Sequence, residues 1–248
     1  MLPAVAGCFM LKIKKNKIAI VTGANGGIGT ELVAQLEKAG VRCVCVDKAG
    51  IVNENFLLCD FSKQEEVENL VDTISAKFET IDFLFNIAGV GIYKSIEDLT
   101  IKEWNDSLAI NLSAPYILLK GLLPLLERSE SALVINFGSG MGMVPYAKRT
   151  ANCASKFGLR GLILSLSKEF KSRKVKFILL TLGSVMTNFG TGGLEARKKL
   201  SKNGKRYLTV NSVVRKVVGI INSPVKKPEY IIYPEGYLSS NLGNKTGT

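Results

Sequence analysis

The sequence predicts an α/β fold: one doubly wound domain whose central parallel sheet of about seven strands carries helices on both faces. Two observations lead there. Short apolar runs alternate with helical patterns of ten or more residues along the whole chain, which is the mark of βαβ units and a parallel sheet. The 248 residues fit one large domain, and neither a linker nor an internal repeat divides them.

The elements follow in order. Residues 17–23 (KIAIVTG) are a short apolar run ending in a glycine turn, and a helical pattern occupies 28–39. Strands two and three are read at 41–47 (VRCVCVD) and 55–60 (NFLLCD). Ser62 is expected to cap the next helix, with Glu65 and Glu66 in its first turn and Val67, Leu70, Val71 and Ile74 on its apolar face. Residues 81–89 (IDFLFNIAG) give strand four, 104–126 a long helix and 133–140 (LVINFGSG) strand five. A helix at 153–170, strand six at 175–183, a helix beginning near Ser212 and a short last strand at 229–236 complete the alternation. Residues 1–16 read as a partly disordered N-terminal extension, with Met10 as an alternative start, and 17–248 as the domain itself.

Composition removes several functions. The chain has no histidine, so a histidine general base, a Ser-His-Asp triad and His-ligated zinc are all excluded, and no metal site is expected. Five cysteines without a CxxC pair read as buried reduced thiols of a cytoplasmic protein. No uninterrupted apolar run approaches the roughly 20 residues that span a bilayer, so no membrane role is expected. Lys plus Arg number 33 against 21 Asp plus Glu, a net charge of +12, but no zinc-finger or RNP-like pattern goes with them. Nucleic acid is therefore not expected as a partner.

The first strand runs straight into Gly23-Ala24-Asn25-Gly26-Gly27-Ile28-Gly29 and then a helix. Glycines let backbone approach a pyrophosphate, and a helix start aims free N–H groups and a positive dipole end at it. Asp47 ends the next strand, about 20 residues on, where a carboxylate accepts both hydroxyls of an adenosine ribose. The same carboxylate repels a 2′-phosphate, so NAD is favoured over NADP, with Lys48 alongside to soften the choice.

These motifs resemble the short-chain dehydrogenase/reductase family, and the resemblance runs from Lys17 to Tyr237. It implies a Rossmann-type fold and an NAD(P)(H)-dependent oxidoreductase that interconverts an alcohol and a ketone. Thr22, Gly23, Gly27 and Gly29 match the family's TGxxxGxG in full. Asp60, beside Phe61, matches the acid that bonds the adenine, and Asn86-Ile87-Ala88-Gly89 matches NNAG with its second asparagine lost. Gly183-Ser184-Val185-Met186-Thr187 matches the stretch whose threonine holds the nicotinamide carboxamide.

The resemblance also assigns catalytic roles, and here the chain departs from the pattern. Asn111, Ser139 and Lys156 stand in register with the family's Asn, Ser and Lys, but the tyrosine of YxxxK is Asn152. An amide does not titrate near neutral pH, whereas a phenol of pKa about 10 is lowered by a neighbouring cation. Three readings stand open: a weak or repurposed enzyme, an engineered substitution that traps a complex, or a relocated phenol, with Tyr146 taken as the only one nearby. The alternative to an enzyme is a catalytically silent dinucleotide-binding protein that acts by interaction. A substrate lid is expected at about 188–211, where the run from Arg197 to Arg206 reads either as the receptor for an anionic substrate or as a solvated helix face. Relatives pair the two long helices, here about 102–126 and 152–171, so a homodimer or homotetramer is expected.

Overall fold

Parallel strands buried on both sides read as nearly continuous apolar runs, and those runs become the sheet. The computed structural model describes residues 11–14 and 16–235. Its strands are β1 (Ile18–Thr22), β2 (Arg42–Asp47), β3 (Phe56–Leu58), β4 (Phe83–Asn86), β5 (Leu133–Ser139), β6 (Lys176–Leu182) and β7 (Glu229–Ile232). All pair in parallel, in the order β3-β2-β1-β4-β5-β6-β7. The helices are α1 (Gly27–Lys38), α2 (Gln64–Lys77), α3 (Ile101–Leu108), α4 (Ala114–Arg128), α5 (Thr150–Glu169), α6 (Gly193–Lys202) and α7 (Val210–Asn222).

Because strand side chains alternate, each of the five inner strands feeds two cores. Ile20, Val44, Val46, Leu84, Val134, Phe177 and Leu179 face α2, α4 and α5, which add Val67, Leu70, Ile74, Leu118, Leu122, Leu159 and Ile163. Ala19, Val21, Cys43, Phe85, Ile135, Ile178 and Leu180 face α1 and α7, which add Leu32, Leu36, Val213 and Val217. α2 and α4 approach closely at Gly121, where a methyl group would come within 2.4 Å of Val71 Cγ1. Strand order reverses between β1 and β4, which opens a crevice at their carboxyl ends, the usual ligand position in such a sheet.

Several expectations need correction. Ser62 does not cap α2: the residue before the helix is Lys63, without a side-chain cap, because the Ser62 hydroxyl donates to Asp60 Oδ1 at 2.7 Å instead. The helix expected over 104–126 begins earlier, at Ile101, where Thr100 and Glu103 form a reciprocal capping box. It then passes through a π turn (Ala109–Ser113) into α4. The combined helix Ile101–Arg128 has 28 residues and an 18-residue stretch of mean hydropathy 1.4, enough by length and composition to cross a membrane although its apolar residues are interrupted by polar ones. In this fold Leu118, Leu119, Leu122, Leu125 and Leu126 of that helix are buried in the core.

The helix expected at 153–170 starts three residues earlier, at Thr150, and the expected lid region carries α6, none of whose residues is buried. Residues 1–10, most of the expected extension, lie outside the described residues. Of the remainder, Leu11 and Ile13 pack against the α1/α7 core and the Lys12 N–H donates to Asn222 Oδ1 at 2.9 Å. Cys43, Cys45, Cys59 and Cys153 are free thiols, and burial pushes Cys43 and Cys59 up to about 12.

Candidate active site

The crevice is closed on one side by the glycine turn. Gly23 takes a left-handed φ of 68°, and a methyl group there would sit 2.8 Å from the Ala88 nitrogen. At Gly29 a methyl group would lie 2.2 Å from the Gly23 carbonyl oxygen, so the turn and the helix start can pack only as glycines. The residue before α1 is Gly26, with no side-chain cap, and the first turn holds no acid. Its leading N–H groups therefore face the crevice without a competing anion, as a cofactor pyrophosphate requires. Thr22 ties this turn to the end of β4, since its hydroxyl accepts from the Ile87 and Ala88 N–H groups, both at 3.1 Å.

At the end of β2, Asp47 Oδ2 accepts from the Asn25 N–H at 3.0 Å, and Oδ1 accepts from the Lys48 N–H at 2.8 Å. The carboxylate thus stands directly beside the glycine turn. Asp60 follows β3, its carboxyl held below the usual carboxylate range chiefly by the Ser62 hydroxyl, and Phe61 is buried behind it. Thr187 closes this group from the segment that follows β6: its Cγ2 would be 3.1 Å from a methyl group on Gly27. Gly183 leaves the end of β6, and Val185 is buried and bridged to Leu208. At the end of β4 the Asn86 amide donates to Asn136 Oδ1, in the middle of β5, at 2.7 Å, while Asn86 Oδ1 and Asn136 Nδ2 are buried with no partner among the described residues.

On the other side of the crevice, two asparagines hold the loop that follows β4. Asn111 sits in the π turn, where Pro115 has no N–H to return to the carbonyl four residues before it. Its side chain accepts from the Val90 N–H at 2.9 Å and donates to the Val90 carbonyl at 3.1 Å and Ser155 Oγ at 3.1 Å. Asn152, in the first turn of α5, is buried and accepts from the Ile92 N–H at 3.0 Å through Oδ1. Its Nδ2 lies 4.0 Å from the sulfur of Met141, in the turn after β5. One helical turn on, the buried Lys156 donates to the Phe137 carbonyl at 3.0 Å, and burial pushes its ammonium down to about 8. Ser139 ends β5, half-buried, its hydroxyl accepting from the Met141 N–H at 3.2 Å.

The sequence missed part of this wall. Tyr93, one residue beyond the Asn152–Ile92 bond, is a half-buried phenol with the Arg149 guanidinium 3.9 Å above its ring, so Tyr146 is not the only phenol near this end of the sheet. Burial raises the Tyr93 phenol, against the lowering charges of Arg197 and Arg149. Tyr146 itself is exposed on the loop before α5. Phe189 from the lid lies across the loop after β4, its ring carbons 3.5 Å and 2.9 Å from where methyl groups on Gly89 and Gly91 would be. Tyr93 and Phe189 sit in loops with no periodic pattern, and no sequence signal marks them.

A glycine-lined crevice at the switch point of a seven-stranded parallel sheet, with a strand-end carboxylate beside it, defines a dinucleotide-binding oxidoreductase fold. The short chain dehydrogenase model matches residues 17–198, and the chain belongs to that family. It is 28% identical over 207 residues to D-threitol dehydrogenase of Mycolicibacterium smegmatis, a match covering 76% of this chain and 80% of the relative. Among solved structures it is similar to 4-hydroxyisoleucine dehydrogenase complexed with NADH (TM-score 0.78, 21% identity, 88% of this chain and 97% of the other). It is also similar to the closed form of serine dehydrogenase complexed with NADP+ (TM-score 0.74, 20% identity, 87% and 94%).

Proposed function

We propose that this short-chain dehydrogenase/reductase is a cytoplasmic NAD(H)-dependent enzyme that interconverts a small alcohol and its ketone, slowly, because Asn152 stands where the family carries its tyrosine. The observation that carries the cofactor choice is Asp47 Oδ2 at 3.0 Å from the Asn25 N–H. A carboxylate in that place accepts from both ribose hydroxyls and faces any 2′-phosphate. Like charges about 4 Å apart repel by roughly 4 kcal/mol at an effective dielectric near 20, and Lys48 offsets part of it.

When bound, NAD supplies a hydride acceptor and NADH a hydride donor. Gly23, Asn25, Gly27, Ile28 and Gly29 would hold the pyrophosphate, Asp47 the ribose, and Asp60 with Phe61 the adenine. Asn86, Ala88, Gly89, Gly183, Val185, Thr187 and Lys156 would line the nicotinamide end. Ser139 orients the substrate oxygen with its hydroxyl, and the Lys156 ammonium stabilises negative charge building there. Asn111 and Asn152 position the loop after β4. None of these groups is a phenol, so the acid–base contribution of about 10²–10⁴-fold is missing from the rate. The second reading, a silent dinucleotide-binding protein, draws on the same Asn152, whose oxygen is already engaged by Ile92.

Two copies pair through α4 and α5, where Tyr116 and Phe157 are 47% and 42% exposed despite being large aromatics; a monomer in light scattering at micromolar concentration overturns that part. For the cofactor, calorimetric titration should show NADH binding at least 10-fold more tightly than NADPH, with Asp47→Ser narrowing the gap. Equal affinities in the unaltered protein would mean that Lys48 outweighs Asp47.

A further inference from the structure

The basic run from Arg197 to Arg206 divides in the folded chain. Lys198 is paired with Glu195 at 2.8 Å, and Lys199 and Lys202 are exposed on α6. Arg197 turns inward instead, donating to the Val185 carbonyl at 2.8 Å and to the Phe189 carbonyl. Lys205 comes back over the same place, its ammonium 5.3 Å from the centre of the Tyr207 ring, with the Arg197 guanidinium 5.6 Å from that ring. A third cation arrives from a different element: Arg149, immediately before α5, stacks on Tyr93.

The three are close enough to act on one another. Burial first, then the charges of Arg197 and Arg149, lower the Lys205 ammonium. Among the described residues none of the three has a carboxylate partner, although eight other ion pairs form elsewhere. α5 begins beside Arg149 with no side-chain cap and no acid in its first turn, which adds a positive dipole end to the cluster. Lys148 takes a left-handed φ of 57° just before Arg149, a conformation a non-glycine residue adopts only where its surroundings hold it. Arg149 and Arg197 are half-buried and Lys205 is exposed; uncompensated like charges repel, so three of them gathered over the Tyr93 and Tyr207 rings are an arrangement that a bound anion relieves.

We propose that Arg149, Arg197 and Lys205 form the receptor for an oxyanion on the substrate, a carboxylate or a phosphate monoester, whose carbonyl end then reaches Ser139 and Lys156. This rests on the oxidoreductase reading and narrows its substrate class to anionic oxo and hydroxy compounds. Arg149 contacts the anion directly, since only one of its terminal nitrogens is engaged, with the Lys148 carbonyl. Lys205 supplies a point charge from the opposite side. Arg197, its fork bound to the Val185 carbonyl and the Phe189 carbonyl of the lid, contributes its field and ties the lid to the segment after β6.

The test uses the protein saturated with NADH and measures binding by calorimetry in two matched pairs: acetoacetate against methyl acetoacetate, and dihydroxyacetone phosphate against dihydroxyacetone. In at least one pair the charged member should bind about 10-fold or more tightly than the neutral one, as a charge-assisted bond implies. Which pair shows the larger ratio identifies the carboxylate or the phosphate. Arg149→Gln and Lys205→Gln should each cut the preference several-fold, the double variant should abolish it, and Arg149→Lys should restore part of it, all with the NADH affinity unchanged. Equal binding of charged and neutral members in both pairs overturns the proposal, as does a preference that survives the double substitution. Failure of the unaltered protein to bind NADH would instead overturn the oxidoreductase reading on which it rests.

Discussion

Along the β1–β2 side of the crevice, the defining hydrogen bond joins Asn25 to Asp47, 22 residues apart within one βαβ unit. Along the β4–β5 side, the bond from Ile92 to Asn152 spans 60 residues and joins a loop to a helix from a later unit. The first side depends on backbone: glycines where no methyl group fits, and a helix start left without a cap. The second depends on side chains that grip a loop with no regular structure of its own. A backbone-defined half tolerates almost no substitution, whereas a half held by side chains accepts a new residue if it supplies the same hydrogen bond. Asn152, which the sequence resemblance sets at the family's tyrosine position, lies in the second half.

The sharpest way to break this contrast is Asn152→Tyr. If the β4–β5 half lacks only its acid, turnover with a reactive ketone panel should rise by about 10²–10⁴-fold with the cofactor affinity unchanged. A folded, NADH-binding variant that gains nothing would show that the site is silent for another reason. In the other half, Gly29→Ala forces a methyl group to within 2.2 Å of a carbonyl oxygen. Overpacking of about 1–3 kcal/mol should weaken NADH roughly 5- to 150-fold by fluorescence titration.

Lys156 gives a comparison across pH. An unfolded lysine keeps its proton to about pH 10.4. The buried Lys156 releases its proton near 8, so between those values the unfolded chain holds more protons and stability rises with pH. Lys156→Met removes this term. In urea unfolding the stability of the variant relative to the unaltered protein should fall between pH 7 and pH 10.4 by on the order of 3 kcal/mol, on top of a pH-independent cost for the Phe137 carbonyl left without its donor. A difference independent of pH would mean that the charge is not desolvated. The smallest effect is expected from Asn152→Ala, which leaves the half-buried Ile92 N–H without its acceptor: about 1–3 kcal/mol of stability, or roughly 2–12 °C in Tm, with NADH binding intact.

The same division decided what could be read from sequence. β1, the glycine turn and Asp47 are legible because their periodicity and spacing are local. The start of α3 is legible too, in the capping box of Thr100 and Glu103, although the apolar pattern is regular only from Trp104 onward. Ser62 misled because Asp60, two residues before it, competes for its hydroxyl. The π turn around Asn111 and the placing of Tyr93, Arg149 and Phe189 come from tertiary contacts between segments far apart in the chain. No window of sequence contains them.

The bond between Asn152 and Ile92 also has a consequence for how such a chain changes over generations. A tyrosine at 152 offers no amide oxygen to the Ile92 N–H, so acquiring the phenol by one substitution gives up the anchor of the neighbouring loop. Any benefit in rate is then set against a loosened wall, until a second change elsewhere supplies a new acceptor. The residue at 152 and the loop it holds are thus coupled: a phenol at this place is complete only together with a second acceptor for the Ile92 N–H.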